Sequence, residues 1–309
     1  MVHLLANPRA GNGRAAAAIT ELVGRLGAAG AATELLEAES AAEAQRLCEK
    51  AVAGGAERLI VAGGDGAVHV AVQAAAGTPT VLGLVPLGSG NDFARALGLA
   101  SHGRRPDLAV SVAAALAEPV ELDAISSPAG CAASIATVGF SASVNELGNR
   151  LRIPGRLAPA RYHLATLLEL RRLAPLRLEL ELDGRAEVLE ATFVAVANTA
   201  FFGGGMAICP EADAADGLLD VCVVAPVNRR TLLRLFPTVF KGAHVSHPAV
   251  SIRRAARVRI AAPSGGDALG GGPNVRADGE PYAIAPIELR AAAGALRVAG
   301  ARPGPPTLT

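Results

Sequence analysis

Three times within residues 1–92 an apolar stretch runs straight into a glycine-bearing turn. The turns are Asn7-Pro8-Arg9-Ala10-Gly11-Asn12-Gly13, Gly63-Gly64-Asp65-Gly66 and Pro86-Leu87-Gly88-Ser89-Gly90-Asn91-Asp92. Alanine-rich segments of helical character separate the apolar stretches. A repeat of this kind constrains the fold strongly, because parallel strands need a crossover between them and a helix is the usual one. The spacing predicts strands over 2–8, Thr33–Leu36, Arg58–Ala62 and Val81–Pro86. Helices are expected over Arg14–Ala28, Ala41–Ala53 and from the second turn through Ala76. The fold class expected is α/β, with a doubly wound parallel sheet at the N-terminus.

Past Pro119 the texture changes. Strand-like runs appear at Val120–Ile125, Ala132–Thr137, Leu176–Leu182, Val188–Ala197, Leu218–Val224, Val258–Ala261 and Ile287–Ala291. Asp183-Gly184 falls between two of them as a hairpin turn would. Helical patterns interrupt near 143–151, 161–173 and 228–240, and the glycine-rich stretch 265–273 reads as a surface loop. The expectation is a first domain over 1–120 and a β-rich, sandwich-like second domain over 121–292, with the tail 293–309 able to return to the first. The closing GARPGPPTLT is too rich in Pro and Gly to be ordered by itself.

Composition removes several classes of function. With 51% hydrophobic and 18% charged residues the chain buries a core. Aromatics make up 3% and Trp is absent, so stacking platforms for single-stranded nucleic acid are not expected. Residues 1–120 carry a net charge of −2 and residues 121–309 of +3, too little for a general nucleic-acid binder. Charge is concentrated locally, however: seven arginines stand between Arg150 and Arg177 against Glu169 alone. Cys48, Cys131, Cys209 and Cys222 are widely spaced and read as free thiols in a reducing compartment. The N-terminus has no signal-peptide pattern. The uncharged stretches 66–91 and 191–210 are broken by Gly77, Pro79 and Pro86 and by Asn198 and Gly203–Gly205, so neither is expected to span a membrane.

In an open parallel sheet, ligands bind beyond the carboxyl ends of the strands, which is where all three glycine turns would sit. Glycine lets backbone approach a phosphate, and a helix that starts there points free N–H groups at it. No G-x-x-x-x-G-K-[ST] occurs, nor a G-x-G-x-x-G after the first strand, so neither a P-loop nor a dinucleotide fingerprint is present. Asp65 and Asp92 repel phosphate, and their presence makes chemical sense if hydrated Mg²⁺ lies between. Each residue also has a plainer reading. Asp65 could cap the helix that follows, and Asp123 could be a turn residue. Asp278-Gly279 could be a hairpin turn that leaves Glu280 exposed, and His69 could be a packing or capping histidine.

The motifs N-P-x-x-G, G-G-D-G and P-x-G-x-G-N-D-F-A-R resemble the diacylglycerol kinase catalytic family, bacterial lipid kinases related to sphingosine kinases. Similar segments continue through GGGMAIC (203–209), PEADAADGLLDV (210–221) and ADGE (277–280), so the resemblance spans nearly the whole chain. LLRLFPTVFKGAHV (232–245) is similar to the actinobacterial members in particular. The resemblance implies an N-terminal nucleotide domain, a C-terminal β-sandwich and ATP- and Mg²⁺-dependent phosphorylation of diacylglycerol. By the same resemblance Asn7, Pro8, Arg9, Ala10 and Gly11 would hold the ATP phosphates. So would Gly63, Gly64, Asp65, Gly66, Ala67, Val68, His69 and Val70, and Gly88, Ser89, Gly90 and Asn91. Asp65, Asp92 and Asp123 would form the carboxylate and water network around Mg²⁺, and Glu280 would be the general base beside Asp65. Asp213, Asp216 and Leu218 match a second, structural metal site.

Three departures stand out. Ala67 replaces the family's usual threonine, His69-Val70 its frequent Asn-Glu, and no clear counterpart exists in 33–40 for the threonine that often ends the second strand. The partners implied are diacylglycerol or a related lipid and the inner membrane face, visited from the cytoplasm, with no nucleic acid; a homodimer stays open. Alternatives are a kinase of a sphingoid base, a glycolipid or a soluble alcohol such as NAD, and a non-catalytic sensor.

Overall fold

The computed structural model describes residues 1–7, 14–101, 106–139, 175–263 and 272–306. The helices expected near 143–151 and 161–173, most of the Arg150–Arg177 run, Pro8–Gly11 and most of the loop at 265–273 lie outside the described residues.

Strands β1 (Val2–Ala6), β2 (Thr33–Glu37), β3 (Arg58–Gly63) and β4 (Val81–Pro86) form a parallel sheet in the order β2-β1-β3-β4. The helices between them are α1 (Arg14–Ala28), α2 (Ala41–Ala53) and α3 (Asp65–Ala75). Two further helices follow β4, α4 (Asp92–Ala96) and α5 (Leu108–Leu116). The inner strands β1, β3 and β4 are largely apolar on both faces because both are covered, whereas the edge strand β2 carries the exposed Glu34 and Glu37. Leu4, Ile60 and Ala62 pack with Ile19, Leu22 and Leu26 of α1 and Val112 of α5. Their neighbours Leu5, Leu59 and Val61 pack with Cys48 of α2 and Val68 and Val72 of α3. The chain leaves β1 for β2 on one side and continues through β3 on the other. The β1/β3 boundary is therefore the switch point of the sheet, where such folds open a crevice.

The second half begins with β5 (Pro119–Ser127), β6 (Gly130–Ala132) and β7 (Ile135–Val138), followed by β8 (Leu176–Leu182), β9 (Arg185–Ala191) and β10 (Phe193–Ala197). Two short strands, β11 (Phe201–Phe202) and β12 (Met206–Ala207), pair with each other before β13 (Leu219–Val224). Helix α6 (Arg229–Val239) and a 3-10 turn (Ala243–Ser246) precede β14 (Val250–Ala255), β15 (Arg257–Ala261), β16 (Asn274–Ala277), β17 (Glu280–Ile284) and β18 (Ile287–Ala299). Two of the runs expected to be single strands are each broken in two, at Ala133-Ser134 and at Thr192. Each break lets the chain cross from the first sheet, which holds β6 and β9, to the antiparallel sheet, which holds β7 and β10. The hairpin at Asp183-Gly184 forms, with both residues at positive φ (48° and 85°).

An antiparallel sheet in the order β14-β13-β10-β7-β16-β17 faces the β15 and β8 end of the first sheet. Leu178, Leu180, Val258, Ile260 and Leu289 meet Val138, Val194, Val196, Val221 and Val275 between the two layers. The other face of the antiparallel sheet carries Phe193, Ala195, Cys222 and Val224, covered by Leu232, Phe236 and Val239 of α6. Strand β18 joins the halves. Its start pairs with β15 and its end, at Arg297 and Val298, pairs parallel with Val81 and Leu82 of β4. The Pro- and Gly-rich tail is tied down by tertiary bonds, Arg302 N to Leu97 O (3.1 Å) and Gly304 N to Asp213 Oδ1 (3.0 Å).

Candidate functional site

The second and third glycine turns lie against each other beyond β3 and β4. Leu87 N donates to Gly63 O at 2.9 Å. A Cβ added at Gly88 would come within 2.4 Å of Gly64 Cα, so the two backbones touch with no room for a side chain. Asn91, left-handed at φ 55°, closes its own turn by accepting from Gly88 N (2.9 Å) and donating to Gly88 O (2.8 Å). Ser89 is exposed at the tip of this turn and Asn7 is exposed at the end of β1. Gly88→Ala should therefore cost about 1–3 kcal/mol, the range for overpacking. Gly24→Ala, in a helix with open space around it, should stabilise by about 0.5–1 kcal/mol. Melting curves of the two variants check the pair.

Asp65 opens α3 but does not cap it; the N-cap is Gly64, with no side-chain bond. Instead Asp65 Oδ1 accepts from Asp92 N (2.7 Å) and Phe93 N (3.4 Å), capping α4 across the junction of the two turns. The capping reading of Asp65 is right in kind and wrong about which helix is capped. Its other oxygen faces Gly90, where an added Cβ would lie 2.6 Å away. Burial, then the charge of Asp92 and more weakly that of Asp278, push the Asp65 carboxyl up to about 7 despite the two backbone bonds. Asp92 is 5% exposed. Burial pushes its carboxyl up too, while bonds from Gly204 N and Gly205 N and the Arg95 charge oppose that. Asp92 Oδ2 accepts from Gly204 N at 2.7 Å, and Oδ1 from Arg95 Nη1 at 2.9 Å. It thus ties the first half of the chain to the Gly203–Gly205 triplet of the second.

Glu280 arrives from the other half. It starts β17, is exposed, and its Oε1 would lie 3.6 Å from a Cβ added to Gly66 at the head of α3. What holds it there is Asp278, the turn residue two positions earlier (φ 52°). The Asp278 carboxylate accepts from Ala133 N (2.9 Å), Ser134 N (2.8 Å) and Ile135 N (3.3 Å). It also meets His69 Nδ1 at 2.9 Å. One turn further along α3, Gln73 accepts from Cys131 N at 3.0 Å. His69 and Gln73 thus bind α3 to the turns of the second half. The roles of Gln73 and Gly204 had no signal in the sequence, because their partners Cys131 and Asp92 are remote in the chain, and Arg95 was marked only by its place in N-D-F-A-R.

Burial lowers the His69 pKa, but the Asp278 hydrogen bond and the charges of Asp278 and Glu280 outweigh it and leave it above its ordinary value. A raised folded-state pKa means the stabilisation is full below about pH 6.5 and is lost as pH rises through the folded value. The melting temperature of the wild type should therefore exceed that of His69→Ala by a few degrees at pH 6. The gap should narrow at pH 9, because bonds to charged groups are worth about 1.5–3 kcal/mol and neutral ones less.

The remaining acidic positions are engaged by the protein itself. Asp123 is buried and accepts from Gly294 N (2.9 Å) and Gly217 N (2.7 Å). Asp213 Oδ1 accepts from Ala215 N (3.1 Å) and Gly304 N (3.0 Å). Asp216 Oδ1 accepts from Leu218 N (3.0 Å), and its Oδ2 forms an ion pair with Arg254. Among the described residues no three His, Cys, Asp or Glu side chains converge as a metal centre. Asp65 and Asp92 are the pair whose crowding a cation would relieve.

An α/β half with glycine turns at its strand ends thus meets a carboxylate from an antiparallel, β-sandwich-like half. Residues 1–125 match the diacylglycerol kinase catalytic domain, and residues 134–300 the YegS C-terminal NAD kinase beta sandwich-like domain. The chain is 40% identical to the diacylglycerol kinase of Mycobacterium tuberculosis strain H37Rv, over 98% of this chain and 96% of that protein. It is 32% identical to a protein of Xanthomonas oryzae described as a YegS-like lipid kinase, over 76% of this chain and 78% of the relative. A crystal structure of a diacylglycerol kinase from Bacillus anthracis superposes with a TM-score of 0.72 at 20% identity, covering 96% of each chain. The chain belongs to the diacylglycerol kinase and YegS-like family of lipid kinases. ATP is the phosphoryl donor that this family membership implies.

Proposed function

We propose that the protein transfers the γ-phosphoryl group of ATP to the free primary hydroxyl of diacylglycerol, making phosphatidic acid. The observation that carries this reading is Glu280, delivered by the second half of the chain to the head of α3. A base belongs there, between a phosphate cradle and an acceptor hydroxyl. Phosphoryl transfer is mostly positioning and charge stabilisation. The turns Asn7–Gly11, Gly63–Val70 and Gly88–Asn91 would receive the phosphates through backbone N–H groups, and Glu280 would take the hydroxyl proton. Asp65 and Asp92 would hold Mg²⁺, which is commonly bound through one or two carboxylates, waters and substrate phosphates. When bound, it neutralises charge on the transferred group. Arg254 already supplies a positive charge at Asp216, so the proposal needs no second metal at Asp213, Asp216 and Leu218.

In this reading residues 1–120 bind the nucleotide and 121–292 the lipid, and closure between them excludes water. An apolar cavity of about 70 Å³ beneath α6, lined by Phe193, Phe202, Met206, Ile208, Leu232 and Phe236, has the chemistry for a short piece of alkyl chain. No helix among the described residues is long and apolar enough to cross a membrane. A peripheral visit to the bilayer fits that. The test is transfer of label from ATP to a panel of diacylglycerol, sphingosine, a glycolipid and NAD in mixed micelles. Label in phosphatidic acid is expected, and label in NAD alone would overturn the lipid reading.

A further inference from the structure

We propose that the outward face of α6 is the surface by which the protein docks on an anionic lipid bilayer. The helix is two-sided. Leu232, Leu235, Phe236 and Val239 point inward over the apolar cavity, while Arg229, Arg230, Leu233, Arg234 and Pro237 are exposed, with Lys241 just beyond the last turn. Leu233 is 43% exposed and Val245, in the 3-10 turn that packs against α6, is 37% exposed. Large apolar side chains left in water beside cations are the composition of an interfacial helix.

The charges of this face differ from three of the four other cations nearby, Arg257 being the exception. Residues 221–266 contain eight Lys and Arg and no Asp or Glu. Beyond the helix, Arg253 pairs with Glu187, Arg254 with Asp216 and Arg259 with Glu179. Arg229, Arg230, Arg234 and Lys241 have no acidic partner among the described residues. Three unneutralised arginines on one helix face, with Lys241 just past its end, are complementary to a negative surface, and the apolar residues between them select a bilayer over a soluble polyanion. The same helix roofs the apolar cavity, so docking here would bring the roof of that cavity to the membrane that holds a lipid substrate. The surface rests on the lipid reading for its purpose, and on charge and exposure for its existence.

Each Lys or Arg near an anionic surface strengthens partitioning about fivefold. The triple variant Arg229→Gln, Arg230→Gln, Arg234→Gln should thus lose about 100-fold in binding to vesicles of phosphatidylcholine with phosphatidylglycerol, measured by sedimentation of the full chain. Leu233→Glu should weaken the same binding, and the weakening should persist at high salt. Both variants should raise the KM for vesicle-borne diacylglycerol and leave turnover of a short-chain, water-dispersed diacylglycerol unchanged.

The proposal is overturned if the triple variant binds vesicles like the wild type, or if only Arg150→Gln, Arg152→Gln, Arg156→Gln reduces binding. It is also overturned if activity on the short-chain substrate falls equally, which would make α6 a support of the active fold. Heparin binding as tight as vesicle binding, with Leu233→Glu silent, would replace the bilayer with a soluble polyanion. A protein that docks as described but labels no lipid would sink the substrate reading and leave the docking surface standing, so the two failures are separable.

Discussion

Glu280→Gln is expected to lower kcat by about 10²–10⁴-fold, the usual contribution of a positioned general base, with ATP affinity and melting temperature nearly unchanged. The stability forecast follows from exposure: Glu280 lies at the surface of the cleft, and the turn that carries it is anchored by Asp278. Glutamine keeps the shape and cannot take a proton. Steady-state kinetics with diacylglycerol in micelles, beside nucleotide titration and melting of the same preparation, make the measurement. Near-normal turnover would remove Glu280 from the chemistry. A parallel fall in melting temperature would show that its role is to hold the turn against α3.

Asp65→Asn should cost about 10²–10³ in kcat, the scale for removing one preorganised electrostatic group. Asparagine still accepts from Asp92 N and Phe93 N, so the cap of α4 survives. The pH dependence separates this charge from the cap. The Asp65 carboxyl is pushed up to about 7 in the folded chain, against about 3.9 when unfolded. Between these values the unfolded state has given up a proton that the folded state keeps, so folding loses stability as pH rises from about 4 to 7. Asparagine removes that loss. The variant should melt at a higher temperature relative to the wild type at pH 8 than at pH 4. Added Mg²⁺ should raise the melting temperature of the wild type at pH 8 and do little for the variant. A variant that stays active and responds to Mg²⁺ like the wild type would leave Asp65 with the cap alone.

Much of this protein can be read from short stretches of its sequence. The strand, turn and helix order of residues 1–86 follows from apolar periodicity and from glycines at the turns, both local properties that survive whatever packs around them. The sandwich was legible as a class, since its strands alternate with turn residues. The breaks at Ala133-Ser134 and Thr192 were not, because a continuous apolar run looks the same whether or not the chain bends within it. The sites were legible to a similar depth. G-G-D-G marks a place where backbone is left bare, and Asp65, Asp92 and Glu280 stand out as carboxylates beside glycines.

Tertiary structure decided what those carboxylates touch. Asp65 caps a helix 27 residues away, and Asp92 reaches the backbone of Gly204 at a separation of 112. Asp278 collects N–H groups from residues 133–135 and the ring of His69. It sets Glu280 over α3 only because β16 pairs with β7 in the register Ala277↔Ala136. The apolar cavity likewise exists only once α6 lies across β10, β13 and β14. Local sequence fixes which backbone conformations are cheap. Which distant side chains then meet depends on strand register and layer packing summed over the whole chain, and no single stretch contains that sum.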